Sequence, residues 1–250
     1  LDILHLAAPC RNVPVTFTLD GMTLLVLLPG MDGTGELFRA FVNAVRLDTQ
    51  IIRYPTDRAL GYTELEQLVL SELPPEEPYL LLGESFSGPI ALSIAARRPP
   101  SLRGVVSCCS FARNPRPGLA PLRALVNWLP DRPPIDPLMW FLAGRFSTPE
   151  LREALSRALA QVSPSALRAR LTAVIGVDVV ATLHSISVPL MYLRASEDRV
   201  VPAAASEIIL DNVPGSRAEE LVGPHFLLQT RPKEVAKLVE EFMQAVEHAI

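Results

Sequence analysis

Cysteine, histidine and lysine are all scarce in this chain of 250 residues, and each scarcity removes a class of function. Three cysteines, Cys10, Cys108 and Cys109, cannot build a disulfide framework, and the adjacent pair lies in an apolar run that reads as a buried strand. Four histidines, His5, His184, His225 and His248, are scattered without the Cys or His spacing of a zinc site, so no metal is expected. Positive charge is carried by arginine almost to the exclusion of lysine. With a net charge of −4 there is no basic stripe to follow a nucleic-acid backbone or an anionic membrane surface. No apolar run approaches the roughly 18 to 20 residues of a membrane span. The N-terminal residues lack the basic region and long apolar core of a signal peptide. These absences point to a cytoplasmic protein that is not integral to a membrane and whose partner is a small molecule; its oligomeric state is not legible.

What is present is apolar residue, 49% of the chain, enough for one large α/β domain. The most informative stretch is 79–88, Tyr-Leu-Leu-Leu-Gly-Glu-Ser-Phe-Ser-Gly. Its first four residues form an apolar run too short for a helix and bounded by Pro78 and Gly83, which suits a strand buried on both faces. Residues 89–97 then read as a helix, so Ser85 lies on a strand-to-helix turn. A nucleophile held on such a turn is strained and needs small residues two before and two after it, and Gly83 and Ser87 satisfy this. The usual pattern is G-x-S-x-G; here Ser87 takes the last glycine's place and Gly88 follows. Taking Ser87 as the nucleophile would move it into the helix, so Ser85 is the candidate.

Elsewhere strands are expected over 23–28, 51–54, 104–110, 190–195 and 218–222, with a weaker early strand over 13–19 that ends in Asp20-Gly21. Helices are expected over 36–45, 62–73, 203–210 and 232–248. This alternation predicts a mostly parallel, doubly wound sheet. It is interrupted between 111 and 182 by a segment with seven prolines between Pro115 and Pro137, both tryptophans, and two helix starts, Thr148-Pro149-Glu150 and Ser163-Pro164. Residues 1–112 and 183–250 are therefore expected to form the core, and 113–182 a helical cap.

A serine hydroxyl needs a base within hydrogen-bond reach and a carboxylate to orient that base. In open α/β sheets ligands gather beyond the carboxyl ends of the strands. Asp198 follows the strand at 190–195, and His225 follows the last strand. On these residues the chain resembles the α/β-hydrolase superfamily, in its capped Ser-His-Asp form: the order is Ser, Asp, His, the acid loop 198–202 reads D-x-x-V-P, and His225-Phe226 precedes the final helix. Glu197 is the rival acid, one residue too far from Pro202. The resemblance implies an oxyanion hole made by the backbone N–H groups of Phe86 and Met31, the latter on the loop 29–35. Pro29 stands there where the family usually has histidine, and the N–H donor is unaffected. Without a Gly-Lys-Ser/Thr ending that loop is not a phosphate loop. Asp32 and Glu84 lie beside it, either touching substrate or capping the loop.

Dehalogenases and epoxide hydrolases of this fold use Asp where this chain has Ser85. The loop 29–35 and the elbow are also similar to phytyl ester synthase-like hydrolase domains. A carboxylic ester hydrolase of small to medium acyl esters, needing no cofactor, is the expected function. Thioesterase, lactonase or C–C bond hydrolase activity would use the same parts, and a non-catalytic ligand-binding member of the fold is the alternative of another class. Trp128, Met139, Trp140 and Phe226 are expected to line the acyl pocket, in an insertion where Leu129, Leu138, Phe141 and Leu142 add apolar surface.

Overall fold

The computed structural model describes residues 23–128 and 130–248. The early strand expected over 13–19 and its turn lie outside them, as does Leu129. Among the described residues the sheet has six strands, all parallel, in the order β2-β1-β3-β4-β5-β6. They are β1 (Leu24–Leu28), β2 (Thr49–Ile51), β3 (Tyr79–Glu84), β4 (Leu102–Cys108), β5 (Leu190–Ala195) and β6 (Arg217–Leu221). The order reverses between β1 and β3: the chain steps outward to β2, then returns to the other side of β1. Loops at the carboxyl ends of these two strands diverge and leave the crevice in which ligands of such sheets bind.

Alternate strand residues feed two cores, as a sheet covered on both faces requires. Leu25, Leu27, Leu80, Leu82, Val106, Met191 and Leu193 pack with helices α1 (Arg39–Val42), α8 (Leu227–Thr230) and α9 (Pro232–Glu247). Val26, Leu28, Tyr79, Leu81, Val105 and Tyr192 pack on the other face with α2 (Tyr62–Glu72), α3 (Gly88–Ala96) and α7 (Ala204–Asn212). Helix α9 shows how sequence dictates its seat: Val235, Val239, Phe242, Met243 and Val246 recur at helical spacing, and all are buried. Helix α3 is buried almost all round, which explains its run of Ala, Leu and Ile.

Strand β4 is displaced two residues toward the N-terminus of its expected 104–110, leaving Cys109 just past it with a left-handed φ of 47°, and two elements near the start of the chain differ more. Strand β2 pairs over Thr49–Ile51 rather than 51–54, because Leu25 to Leu27 of β1 meet those residues and Tyr54 has left the sheet to donate its N–H to the Gly33 carbonyl (2.8 Å). The helix expected over 36–45 is a 3₁₀ turn, Glu36–Phe38, followed by the short α1, with Ala44 and Val45 N–H both drawn to the Phe41 carbonyl.

Between β4 and β5 the chain leaves the sheet through a neck at which Arg113 bridges Asp178 and Asn114 N–H meets the Val177 carbonyl (3.0 Å). Beyond the neck lie a 3₁₀ stretch, Pro117–Trp128, then α4 (Ile135–Leu142), α5 (Pro149–Ala160) and α6 (Pro164–Gly176). Both expected caps are present: Thr148 Oγ1 accepts from Leu151 N–H and Ser163 Oγ from Ala166 N–H, each at 3.2 Å, with proline in the first turn. The density of prolines before Pro137 conceals α4, which starts directly after Pro134. After the neck a 3₁₀ turn, Val180–Ser185, packs Leu183 into the core beside α3.

Candidate active site

Strand β3 runs straight into the turn that carries Ser85. The backbone of Ser85 is left-handed (φ 47°), a conformation costly for a residue with a Cβ and kept only where the surroundings enforce it. Gly83 must be bare because a Cβ there would sit 2.8 Å from the Ser87 carbonyl. Ser87 itself is buried and engaged, its hydroxyl donating to the Pro29 carbonyl while also meeting Tyr54 Oη at 2.6 Å. The second unavoidable glycine is Gly88, where a Cβ would collide with the Ser110 hydroxyl. The glycine of the usual motif has thus moved by one residue, because Ser110 closes on the turn one position later.

Ser85 Oγ lies 2.8 Å from His225 Nε2, and His225 Nδ1 lies 2.8 Å from Asp198 Oδ2. The three residues, from the ends of three strands, form one hydrogen-bonded row. The other oxygen of Asp198 accepts the N–H groups of Val200 (2.8 Å) and Val201 (2.9 Å). The carboxylate is thereby aimed at the imidazole, and both side chains are buried. The acid and histidine loops are also tied to each other, Glu197 N–H donating to the Gly223 carbonyl (2.9 Å). Glu197 turns its carboxylate outward to Arg145 (Nε to Oε2 3.1 Å), which removes it from the row.

The loop after β1 brings Gly30 and Met31 to the same edge. Asp32 is buried and caps this loop from within, its Oδ2 accepting Thr34 N–H (2.9 Å) and Thr34 Oγ1 (2.5 Å). Glu84 is buried between the elbow and the loop, accepting Gln229 Nε2 at 2.8 Å and the Gly30 N–H. Burial pushes its carboxyl up to about 7, and the nearby Asp32 charge adds to this, while the bonds from Gln229 and Gly30 oppose it.

Of the expected pocket residues, Met139 and Phe226 share a buried cluster with Leu37 and Leu155, so α4 packs directly on the residue after His225. The Leu142 carbonyl accepts Phe226 N–H at 2.9 Å across the same contact. Trp140 is 56% exposed and stacks under Arg199 of the acid loop, 4.3 Å from its ring centre, whereas Trp128 is 85% exposed. Several residues at the site carry no sequence motif. Ser110 donates to the Ser85 carbonyl and is held in turn by Tyr192 Oη (2.7 Å). Arg170, from α6, reaches the loop after β1. The thiol of Cys109 lies with Asp198 and His225, their ligand atoms within 4.8 Å of one another, and the hydrogen bond with Cys108 and then burial push that thiol up. A metal on this trio would have to displace the proton shared by His225 and Asp198.

The profile of the Alpha/beta hydrolase family matches residues 17–238. The chain belongs to that family. Solved structures of similar fold include a lipase-esterase related protein from Clostridium acetobutylicum (TM-score 0.76, 20% identity, 88% of this chain and 94% of that one). Others are an esterase from Exiguobacterium antarcticum (0.73, 16%, 89% and 92%) and an enol-lactonase from Burkholderia xenovorans (0.67, 18%, 89% and 92%). No curated protein matches this hydrolase by sequence. Among its described residues no helix is long and apolar enough to cross a membrane.

Proposed function

We propose that this α/β hydrolase is a serine carboxylesterase acting on small to medium acyl esters through an acyl-enzyme. The observation that carries this reading is the row Ser85 Oγ, His225, Asp198, with 2.8 Å at both links, anchored on a strained serine. Ser85 Oγ attacks the ester carbonyl carbon as its proton passes to His225 Nε2, while Asp198 holds the Nδ1 proton and stabilises the imidazolium. The carbonyl oxygen becomes an oxyanion facing the N–H groups of Met31 and Phe86, the latter at the head of the elbow helix. The intermediate collapses, and the leaving alkoxide takes the proton from His225. Water then enters by the same route, giving its proton to His225 and its oxygen to the acyl carbon, and Ser85 departs protonated.

Helices α4 to α6 act as a cap over the site, and Met139 of α4 shares a buried apolar cluster with Phe226, the residue after His225. Each acyl methylene buried there contributes about 0.8 kcal/mol. A small fluorophosphonate tests the reading: it should label the wild type and spare Ser85→Ala, with hydrolysis of short acyl esters lost in parallel. A wild type that neither labels nor hydrolyses would make the chain a ligand-binding member of the fold. Esters, thioesters and lactones tested side by side would set the acyl class.

A further inference from the structure

Arg170 is a buried charge that the reaction just described does not use. It sits on α6, is fully buried, and its hydrogen bonds go to three backbone carbonyls. Nη1 donates to Met31 (2.9 Å) and Asp32 (2.8 Å), and Nη2 to Pro55 (2.8 Å). Burying a guanidinium is expensive unless its donors are satisfied; here Nη1 and Nη2 are, while the buried Nε has no hydrogen-bond partner among the described residues, and the fork geometry of arginine suits two or more fixed acceptors. Desolvation lowers its pKa, and the neighbouring Asp32 charge opposes this.

The targets of these bonds matter. Every carbonyl from Pro29 to Gly35 is engaged. Pro29 accepts from Ser87, Gly30 from Gly33 N–H (3.0 Å), Met31 and Asp32 from Arg170, Gly33 from Tyr54 N–H, Thr34 from Arg53 Nε (2.9 Å), and Gly35 from Phe38 N–H (3.2 Å). The Gly30 carbonyl and the Met31 N–H belong to one trans peptide and point in opposite directions. Tying the carbonyl back to Gly33 turns the Met31 N–H outward from the loop. The next two peptides are held from the cap. Gly33 confirms the fit from the other side: a Cβ there would lie 2.7 Å from Arg170 Nη1, and its φ is +72°.

We propose that Arg170 is a positioning residue that holds the Met31 N–H in the geometry an oxyanion requires, so that the cap contributes to transition-state stabilisation as well as to covering the site. The proposal rests on the esterase reading above. Oxyanion donors act by being fixed before charge develops, and loss of one costs roughly 100- to 1,000-fold in kcat. A loosened donor should cost less.

The test uses Arg170→Lys, which keeps the charge but loses the fork, and Arg170→Gln, uncharged and easier to bury should the first not fold. Each folded variant should show kcat for an activated acyl ester reduced by about 10- to 100-fold with KM within about threefold. Its affinity for a trifluoromethyl ketone, whose adduct with Ser85 carries the oxyanion, should fall by the same factor as kcat/KM. A role in packing alone would lower thermal stability and leave these ratios unchanged. An unchanged kcat, or a rise in KM alone, would overturn the proposal. If Ser85→Ala abolishes turnover while the Arg170 variants match wild type, only the positioning role fails; if Ser85→Ala retains wild-type turnover, the esterase reading fails with it.

Discussion

Gly88 and Ser110 occupy complementary halves of one small volume: the Ser110 hydroxyl fills the space a side chain at residue 88 would take, and from there it donates to the Ser85 carbonyl. A side chain on α3 would thus push away the group that pins the elbow. Gly88→Ala should destabilise the fold by about 1–3 kcal/mol through overpacking. Most of that cost should disappear in a Ser110→Gly background, where both clashing atoms are gone. Urea denaturation of the two single variants and the double variant measures the coupling, and additive losses would show that the two sites do not share the space.

Ser85→Ala and His225→Ala should each lower kcat by several orders of magnitude, and the double variant should be little worse, because the pair acts as a unit. Asp198→Asn should be nearly as severe. Glu197→Gln should be mild, since that carboxylate faces Arg145 at the surface. Steady-state kinetics rank them, and a severe Glu197→Gln beside a mild Asp198→Asn would reassign the acid.

Glu84 should make stability pH-dependent. Its carboxyl titrates near 7 in the fold against an ordinary value of 4.5. Between those values the native state holds a proton that the unfolded chain releases, so stability falls as pH rises from 4.5 through 7 and the loss is complete above that. The displacement corresponds to ~3 kcal/mol. Glu84→Gln should remove this part of the slope, seen as a smaller change in urea midpoint between pH 5 and 8 than in wild type. An identical slope would mean that Glu84 is ionised across the range.

Met139→Ala should shift the preferred acyl chain length, because Met139 shares a buried cluster with Phe226, the residue after His225. Trp128→Ala should leave the profile unaltered, since its ring faces solvent. The variants' kcat/KM across a series of acyl esters decides, and a Met139→Ala profile that matches wild type would place the acyl pocket elsewhere.

Much of this was readable in one dimension. Strand and helix alternation follows from hydrophobic period, which local sequence carries directly, so β1, β3, β5 and α9 stand where expected. The candidate triad was legible because each member closes a strand, and parallel strands deliver all such ends to one edge. Boundaries slipped where tertiary pairing overrode period, as at β2, whose extent is set by β1. Helix α4 was hidden because proline signals only a break, although Pro134 here marks a start and Pro137 falls in the first turn.

Arg170, Ser110 and Gln229 had no motif, since their roles depend on which backbone groups other segments bring to them. A guanidinium 139 residues from Met31 in sequence meets its carbonyl only after α6 has packed on the core. Local sequence determined the elements, their order and the residue types at the strand ends, because period, caps and turns act within a few residues. Tertiary structure alone decided that Gly88 must be bare and what holds the loop after β1, because those are matters of excluded volume and hydrogen-bond direction between distant parts of the chain.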